Sequence, residues 1–122
     1  MLLGVAPADT EADAAWLAEK ICALRIFADA TSHMNRSVRD TAGGLLVVSQ
    51  FTLFASTRKG TRPSFNDAAK PDVAVPLYES FLRHATAALG RPVASGQFGA
   101  TMAVSLVNDG PVTLIVDSRL RE

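Results

Sequence analysis

The chain has 122 residues, 48% of them apolar, and its twelve Lys and Arg balance twelve Asp and Glu. That length suits a single domain over residues 1–122 with a true core and no second one, and the composition excludes a disordered chain. A net charge of zero excludes a global field drawing the protein to nucleic acid, so any RNA contact must be local.

Met1 to Ala6 reads as the end of a strand, stopped by Pro7. From Asp9 to Leu24 the pattern is helical. Asp9 or Thr10 caps the start, Glu11 and Asp13 sit where the helix dipole favours acids, and Leu17, Ile21 and Leu24 form an apolar stripe that Trp16 widens. Cys22, the only cysteine, lies within this helix as a small buried side chain, and alone it can form neither a disulfide nor a thiolate zinc cluster. Arg25-Ile-Phe27 is short and apolar, and residues 29–40 are polar and rich in turn formers. After Gly43-Gly44, the run Leu45 to Phe51 has the continuous apolar character of a strand buried on both faces.

Residues 55–72 read as a long loop carrying Arg58, Lys59, Arg62 and Lys70, of the kind that is functional or mobile. A second helix is predicted from about Val75 to Leu89, with Pro76 in its first turn, Leu77, Phe81 and Leu82 on its buried face, and Gly90 as its stop. Two strands follow, Gly99 to Val107 and Val112 to Asp117, joined by a tight turn at Asn108-Asp109-Gly110. The expected fold class is α/β: a mixed β-sheet sandwich with two helices packed on one side. No apolar run approaches the ~20 residues of a membrane span, and the N-terminus lacks the pattern of a secretion signal. A reduced, cytoplasmic protein is expected.

Two stretches place polar groups where packing alone does not require them. Ser49-Gln50-Phe51-Thr52-Leu53 lies at the C-terminal end of the buried strand, where α/β sheets open crevices for ligands. Its hydroxyls either satisfy the strand end or face a ligand, and backbone N–H groups of the bend are suited to a developing oxyanion. Asn108-Asp109-Gly110-Pro111-Val112-Thr113 is either a plain hairpin turn or a special one, since a Gly-Pro bond can be cis at low cost. The basic loop Thr57 to Pro63 is either a solvated surface or a phosphate contact. A hydrolytic triad finds no support: His84 is mid-helix, His33 is in a polar loop, and there is no G-x-S-x-G. P-loop, dinucleotide and H-E-x-x-H motifs are also absent, so no cofactor and no metal are expected.

Together these two stretches resemble the signature motifs of the D-aminoacyl-tRNA deacylases, the D-tyrosyl-tRNA deacylase family. Met34-Asn35, Thr57 to Gly60, Arg62 to Phe65, and Gly96 to Ala100 followed by Met102 extend the resemblance over essentially the whole chain. It implies a homodimeric α/β hydrolase that cleaves the ester between a D-amino acid, or mischarged glycine, and the 3′ end of tRNA. No membrane or DNA partner is implied. Ser49, Gln50, Phe51 and Thr52 would line the catalytic pocket, with the Phe51 N–H as oxyanion donor. Gly110-Pro111 would be cis and enter the partner subunit's pocket, where its two carbonyls exclude an L-side chain. Phe98 and Met102 would sandwich the terminal adenosine, and Arg58 and Lys59 would contact the tRNA. The resemblance also implies a strand and hairpin ahead of the position matching Met1. A domain shortened at its N-terminus is therefore expected, with an open sheet edge. The competing readings are a non-catalytic dimer that binds tRNA ends and a generic interaction domain.

Overall fold

The structure, a computed structural model, describes residues 1–121. Three short strands, β1 (Leu2–Leu3), β4 (Leu46–Ser49) and β5 (Ala94–Ser95), form a parallel sheet in the order β1-β4-β5. Leu2 stands beside Val48, Leu3 beside Ser49, Leu46 beside Ala94 and Val47 beside Ser95. Parallel neighbours need crossovers. Helix α1 (Glu11–Ala23) lies within the first connection and α2 (Pro71–Leu89) within the second. A separate antiparallel pair, β2 (Phe27–Ala28) and β3 (Met34–Arg36), occupies the stretch read as apolar and then polar loop.

Both helices contribute to one core with the sheet: Ala14 and Ala18 from α1, Tyr78, Phe81 and Ala85 from α2, Leu3 from β1 and Val47 from β4. The deepest line of α1 is not the expected Leu17–Ile21–Leu24 stripe but Ala14, Ala18 and Cys22, spaced at i, i+4 and i+8. Small side chains there let α1 lie close on α2, its main packing partner, and leave Leu17 and Ile21 half-buried at the margin. Cys22 is fully buried, as its position predicts, and burial pushes its thiol pKa up. At the helix start the Asp13 carboxylate accepts from the Thr10 N–H (2.9 Å) and hydroxyl (2.8 Å).

Helix α2 begins at Pro71, four residues before the expected start, because Pro71 itself takes the first helical position, where a missing N–H costs nothing. Pro76 is accordingly one turn inside the helix, on its exposed side, where the carbonyl it leaves unpaired can turn to water. Gly90, in the left-handed region at φ +80°, ends the helix as expected. The expected strands Gly99 to Val107 and Val112 to Asp117 are not formed. These residues pair neither with each other nor with β5, which is only two residues long and offers no ladder to extend. Leu106, Val107 and Ile115 stand 75%, 90% and 99% exposed.

The β2–β3 hairpin is organised by one carboxylate. Asp29 accepts from the Asn35 side-chain amide (2.7 Å), the Thr31 N–H and hydroxyl (2.8 Å each) and the His33 N–H (3.0 Å). These donors, the Asn35 amide foremost, hold its pKa well below the usual carboxylate range. A depressed folded pKa means the contribution to stability is in place above the unfolded value, near 3.8, and is lost as pH falls towards the folded one. The Asp29 side-chain carboxyl carbon NMR shift should therefore hold steady from pH 7 to about 4 and move only on further acidification. A transition centred above pH 4 would contradict this assignment.

Candidate active site

Strand β4 ends at Ser49, and Gln50 (φ −145°, ψ 82°) turns the chain into a single 3-10 turn, Phe51–Phe54. The Gln50 N–H still reaches back to the Leu3 carbonyl at 2.8 Å, so the bend begins while the chain remains tied to β1. Beyond it, Leu53 N–H bonds the Gln50 carbonyl (3.3 Å) and Ala55 N–H the Thr52 carbonyl (3.2 Å). The N–H groups of Phe51 and Thr52, first in the turn, have no acceptor among the described residues. The turn is seated by Gly4: a Cβ there would lie 2.8 Å from the Phe54 ring, so only glycine lets the ring approach β1.

Across the cleft the chain leaves β5 through Gly96 and makes a turn at Phe98–Ala100, with Gly99 at φ +76°. Tyr78 fixes this segment from below. Its phenol lies 3.2 Å from the Val47 carbonyl and 3.3 Å from the Gly96 carbonyl, sharing one O–H between β4 and the end of β5. The Tyr78 ring also packs on Phe98, with centroids 5.8 Å apart and a tilt of 56°. Met102 folds back over Gly96, where a Cβ would stand 2.5 Å from its sulfur.

The result is a cleft of about 270 Å³ lined by Ser49, Gln50 and Phe51 on one side and by Phe98 and Met102 on the other, with Leu3, Val5, Val48, Ala69, Ala74, Gly99, Ala100 and Val104. No lining residue is titratable. The cleft therefore offers apolar surface, a hydroxyl and an amide but no acid or base, and one of its lining residues, Phe51, has an N–H without an acceptor among the described residues. Thr52 stands just behind the lining, its hydroxyl accepting from the Gln50 side-chain amide, a group that cannot take up a proton.

The structure thus gathers Ser49, Gln50, Phe51, Phe98 and Met102 at one cleft, with Thr52 adjoining. Arg58 and Lys59 lie instead at a second hollow of about 410 Å³, with Ser56, Arg62 and Ser64. Gly110 and Pro111 are exposed and line neither; the bond between them is cis. Sequence reasoning missed Tyr78, and it named Gly96 only as part of a motif without seeing its role in the cleft. Tyr78 carried a signal, being the one hydroxyl-bearing aromatic in phase with Ala74, Phe81 and Ala85. Gly96 carried none, because its role is a close approach visible only in three dimensions.

An α/β domain with an apolar cleft at the C-terminal ends of parallel strands, free of titratable groups, defines a class of protein that works by shape and backbone polarity. A family model for D-Tyr-tRNA(Tyr) deacylase matches residues 1–117, and the chain belongs to that family. It is 70% identical over 122 residues to a D-aminoacyl-tRNA deacylase of Opitutus terrae and 59% identical to one of Akkermansia muciniphila. Each match covers all of this chain and 81% of the relative. Among solved structures, a protein described as c-Myc DNA Unwinding Element Binding Protein superposes with a TM-score of 0.84 at 40% identity, covering 93% of this chain and 76% of that one. A probable eukaryotic D-amino acid tRNA deacylase shares the fold at 18% identity, with a TM-score of 0.69 over 82% of this chain and 74% of its own.

The Gly96 contact yields a direct test. Gly96→Ala should push Met102 off its seat while changing unfolding free energy by less than about 1 kcal/mol, because the flexible thioether yields before the backbone does. The Met102 methyl resonance reports the shift. An unmoved methyl in a folded variant would show that Gly96 does not set the cleft wall.

Proposed function

We infer that this chain is a D-aminoacyl-tRNA deacylase, a hydrolase that cleaves the ester between a D-amino acid and the 3′ end of tRNA. Family membership supports the reaction. The observation that carries the mechanism is the cleft's lack of any titratable group beside two free N–H groups. A binding-only protein draws no support from these relatives, which are named as deacylases.

In this reading Phe98 and Met102 hold the terminal adenosine between them, and the ester carbonyl lies against the 3-10 turn. The Phe51 N–H donates to the oxygen that becomes negative as the tetrahedral intermediate forms. Water attacks the carbonyl carbon, the neighbouring ribose 2′-OH relays the proton, and the 3′-oxygen leaves protonated, giving free amino acid and tRNA. The protein contributes position and a fixed dipole. Thr52 is a poor nucleophile here, since its hydroxyl's only partner among the described residues is an amide.

Selectivity is assigned to Gly110 and Pro111 of a second copy, whose carbonyls would occupy the space an L-side chain needs and leave glycine acceptable. The exposure of this dipeptide, outside its own chain's cleft, and of Leu106, Val107 and Ile115 beside it supports a homodimer. Burying each of those three side chains is worth about 1.5–3 kcal/mol.

D-Tyr-tRNA should be hydrolysed at least about 100-fold faster than L-Tyr-tRNA, a gap of about 2.7 kcal/mol. Equal rates on the two enantiomers would end the exclusion mechanism. Thr52→Ala should keep kcat within about tenfold of the parent, the size of one lost neutral hydrogen bond. Abolished turnover with substrate binding intact would instead make Thr52 the nucleophile. Sedimentation should give a dimer at micromolar concentration, and a monomer that still discriminates D from L would refute the contribution in trans.

A further inference from the structure

The second hollow lies in an otherwise charge-balanced protein. Three of the twelve Lys and Arg residues, Arg58, Lys59 and Arg62, fall within the nine residues from Ser56 to Ser64, and that stretch has no acid. None of the three enters an ion pair among the described residues. Loops that carry cations only for solubility need no fixed shape, but this one is clamped at its neck. Ser56 N–H bonds the Ser64 carbonyl (2.8 Å) and Ser64 N–H the Ser56 carbonyl (2.9 Å), an isolated antiparallel bridge. The bridge pairs the backbone groups of the two serines, and both serines line the hollow together with the three cations. Hydroxyls and guanidinium groups around a concave surface form a donor set for phosphate oxygens.

The clamp is also coupled to the cleft. Phe65, the residue after Ser64, meets the Phe51 ring edge to face, with centroids 5.2 Å apart. Phe51 is a lining residue of the cleft and the one whose N–H is assigned to the ester in the proposed reaction. One aromatic contact therefore separates the base of the basic loop from the 3-10 turn.

We propose that the Ser56–Ser64 loop is an RNA phosphodiester clamp, in which Arg58, Lys59, Arg62 and the two serine hydroxyls grip backbone phosphates upstream of the terminal adenosine. The inference rests on the deacylase reading and extends it, adding Arg62, Ser56 and Ser64 to the substrate contacts and giving them a sequence-independent role. Such contacts contribute affinity through released counterions and fix the register of the RNA without reading its bases.

The experiment compares the parent protein with the triple variant Arg58→Gln, Lys59→Gln, Arg62→Gln on three D-tyrosyl esters: of adenosine, which has no phosphate, of the CCA trinucleotide, and of whole tRNA. The variant's preference for tRNA over the adenosine ester, as a ratio of kcat/KM values, should fall by about 30-fold or more. Its plot of log kcat/KM against log salt on tRNA should flatten by about two, as expected for three lost phosphate contacts at about 0.7 each on a single strand. A loss already complete on the trinucleotide places the clamped phosphates in the 3′ tail. A loss confined to whole tRNA places them in the acceptor stem, and either result supports the clamp. An unchanged ratio, or an equal loss on all three esters, overturns it. If the parent cleaves none of the esters, the deacylase reading fails by itself. The clamp then stands or falls on uncharged tRNA, which the variant must bind at least about tenfold more weakly at low salt.

Discussion

Everything at the site depends on β4 being paired in parallel on both sides. Parallel neighbours bring their C-terminal ends to the same edge, so β1, β4 and β5 all release their chains there. From that edge come Gly4, which seats the 3-10 turn, the Ser49-Gln50-Phe51 bend itself, and Gly96, which carries the wall opposite. The Tyr78 phenol, bridging the Val47 and Gly96 carbonyls, ties two of these exits together from beneath. A cleft only about 270 Å³ in volume has little tolerance for drift between its walls, and a shared hydroxyl in the buried core is a stiff way to prevent it.

Both helices and the central strand were legible in the sequence because each carries a strong local signal. α1 has a capped, acidic start; α2 has an apolar face and a glycine stop, although its start at Pro71 lies one turn ahead of the expected one; β4 is a run of Leu and Val behind two glycines. The site motifs were legible for a different reason. Ser49 to Thr52 place polar groups where packing alone does not require them, Phe98 and Met102 were legible only through the resemblance to the deacylase family, and the structure brings all but Thr52 onto one cleft. Less was legible wherever the outcome depends on distant partners. Residues 99–117 alternate like strands, yet alternation only states which face each side chain would take once a neighbouring strand supplies hydrogen bonds. No such neighbour exists among the described residues, and the segment stays unpaired. The small-residue stripe of α1 was hidden similarly, since alanine is neutral in a hydrophobic pattern until a second helix lies against it.

The electrostatic plan follows from where charge is absent. Catalysis by an ionisable side chain requires its pKa to be tuned near neutrality, and an apolar cleft with no such side chain has nothing to tune. What remains is the peptide N–H, a dipole that cannot titrate and that the 3-10 turn holds in place without a competing acceptor. Three cations, Arg58, Lys59 and Arg62, lie instead at the Ser56–Ser64 loop, outside the lining of the cleft. At physiological salt the screening length is about 8 Å. In the proposed clamp, a patch in a protein of zero net charge would therefore act at contact range, selecting how an RNA end lies rather than drawing RNA from solution.

The exposed segment from Val104 to Ile115 completes this logic. Leu106, Val107, Leu114 and Ile115 flank Gly110-Pro111 on both sides, so the dipeptide is carried on an exposed apolar stretch of the chain. Extended backbone with unpaired N–H and C=O groups and apolar side chains is a poor thing to leave in water and a good thing to lay against another strand. If a second copy covers it, the energy gained by burial is spent beside the dipeptide that must be held rigid to discriminate. Exclusion of one enantiomer demands such stiffness, because a carbonyl that can retreat by half an ångström no longer forbids a side chain. In the proposed dimer, assembly and discrimination therefore draw on the same surface, and weakening the flanking apolar contacts would blur selectivity before it abolished hydrolysis.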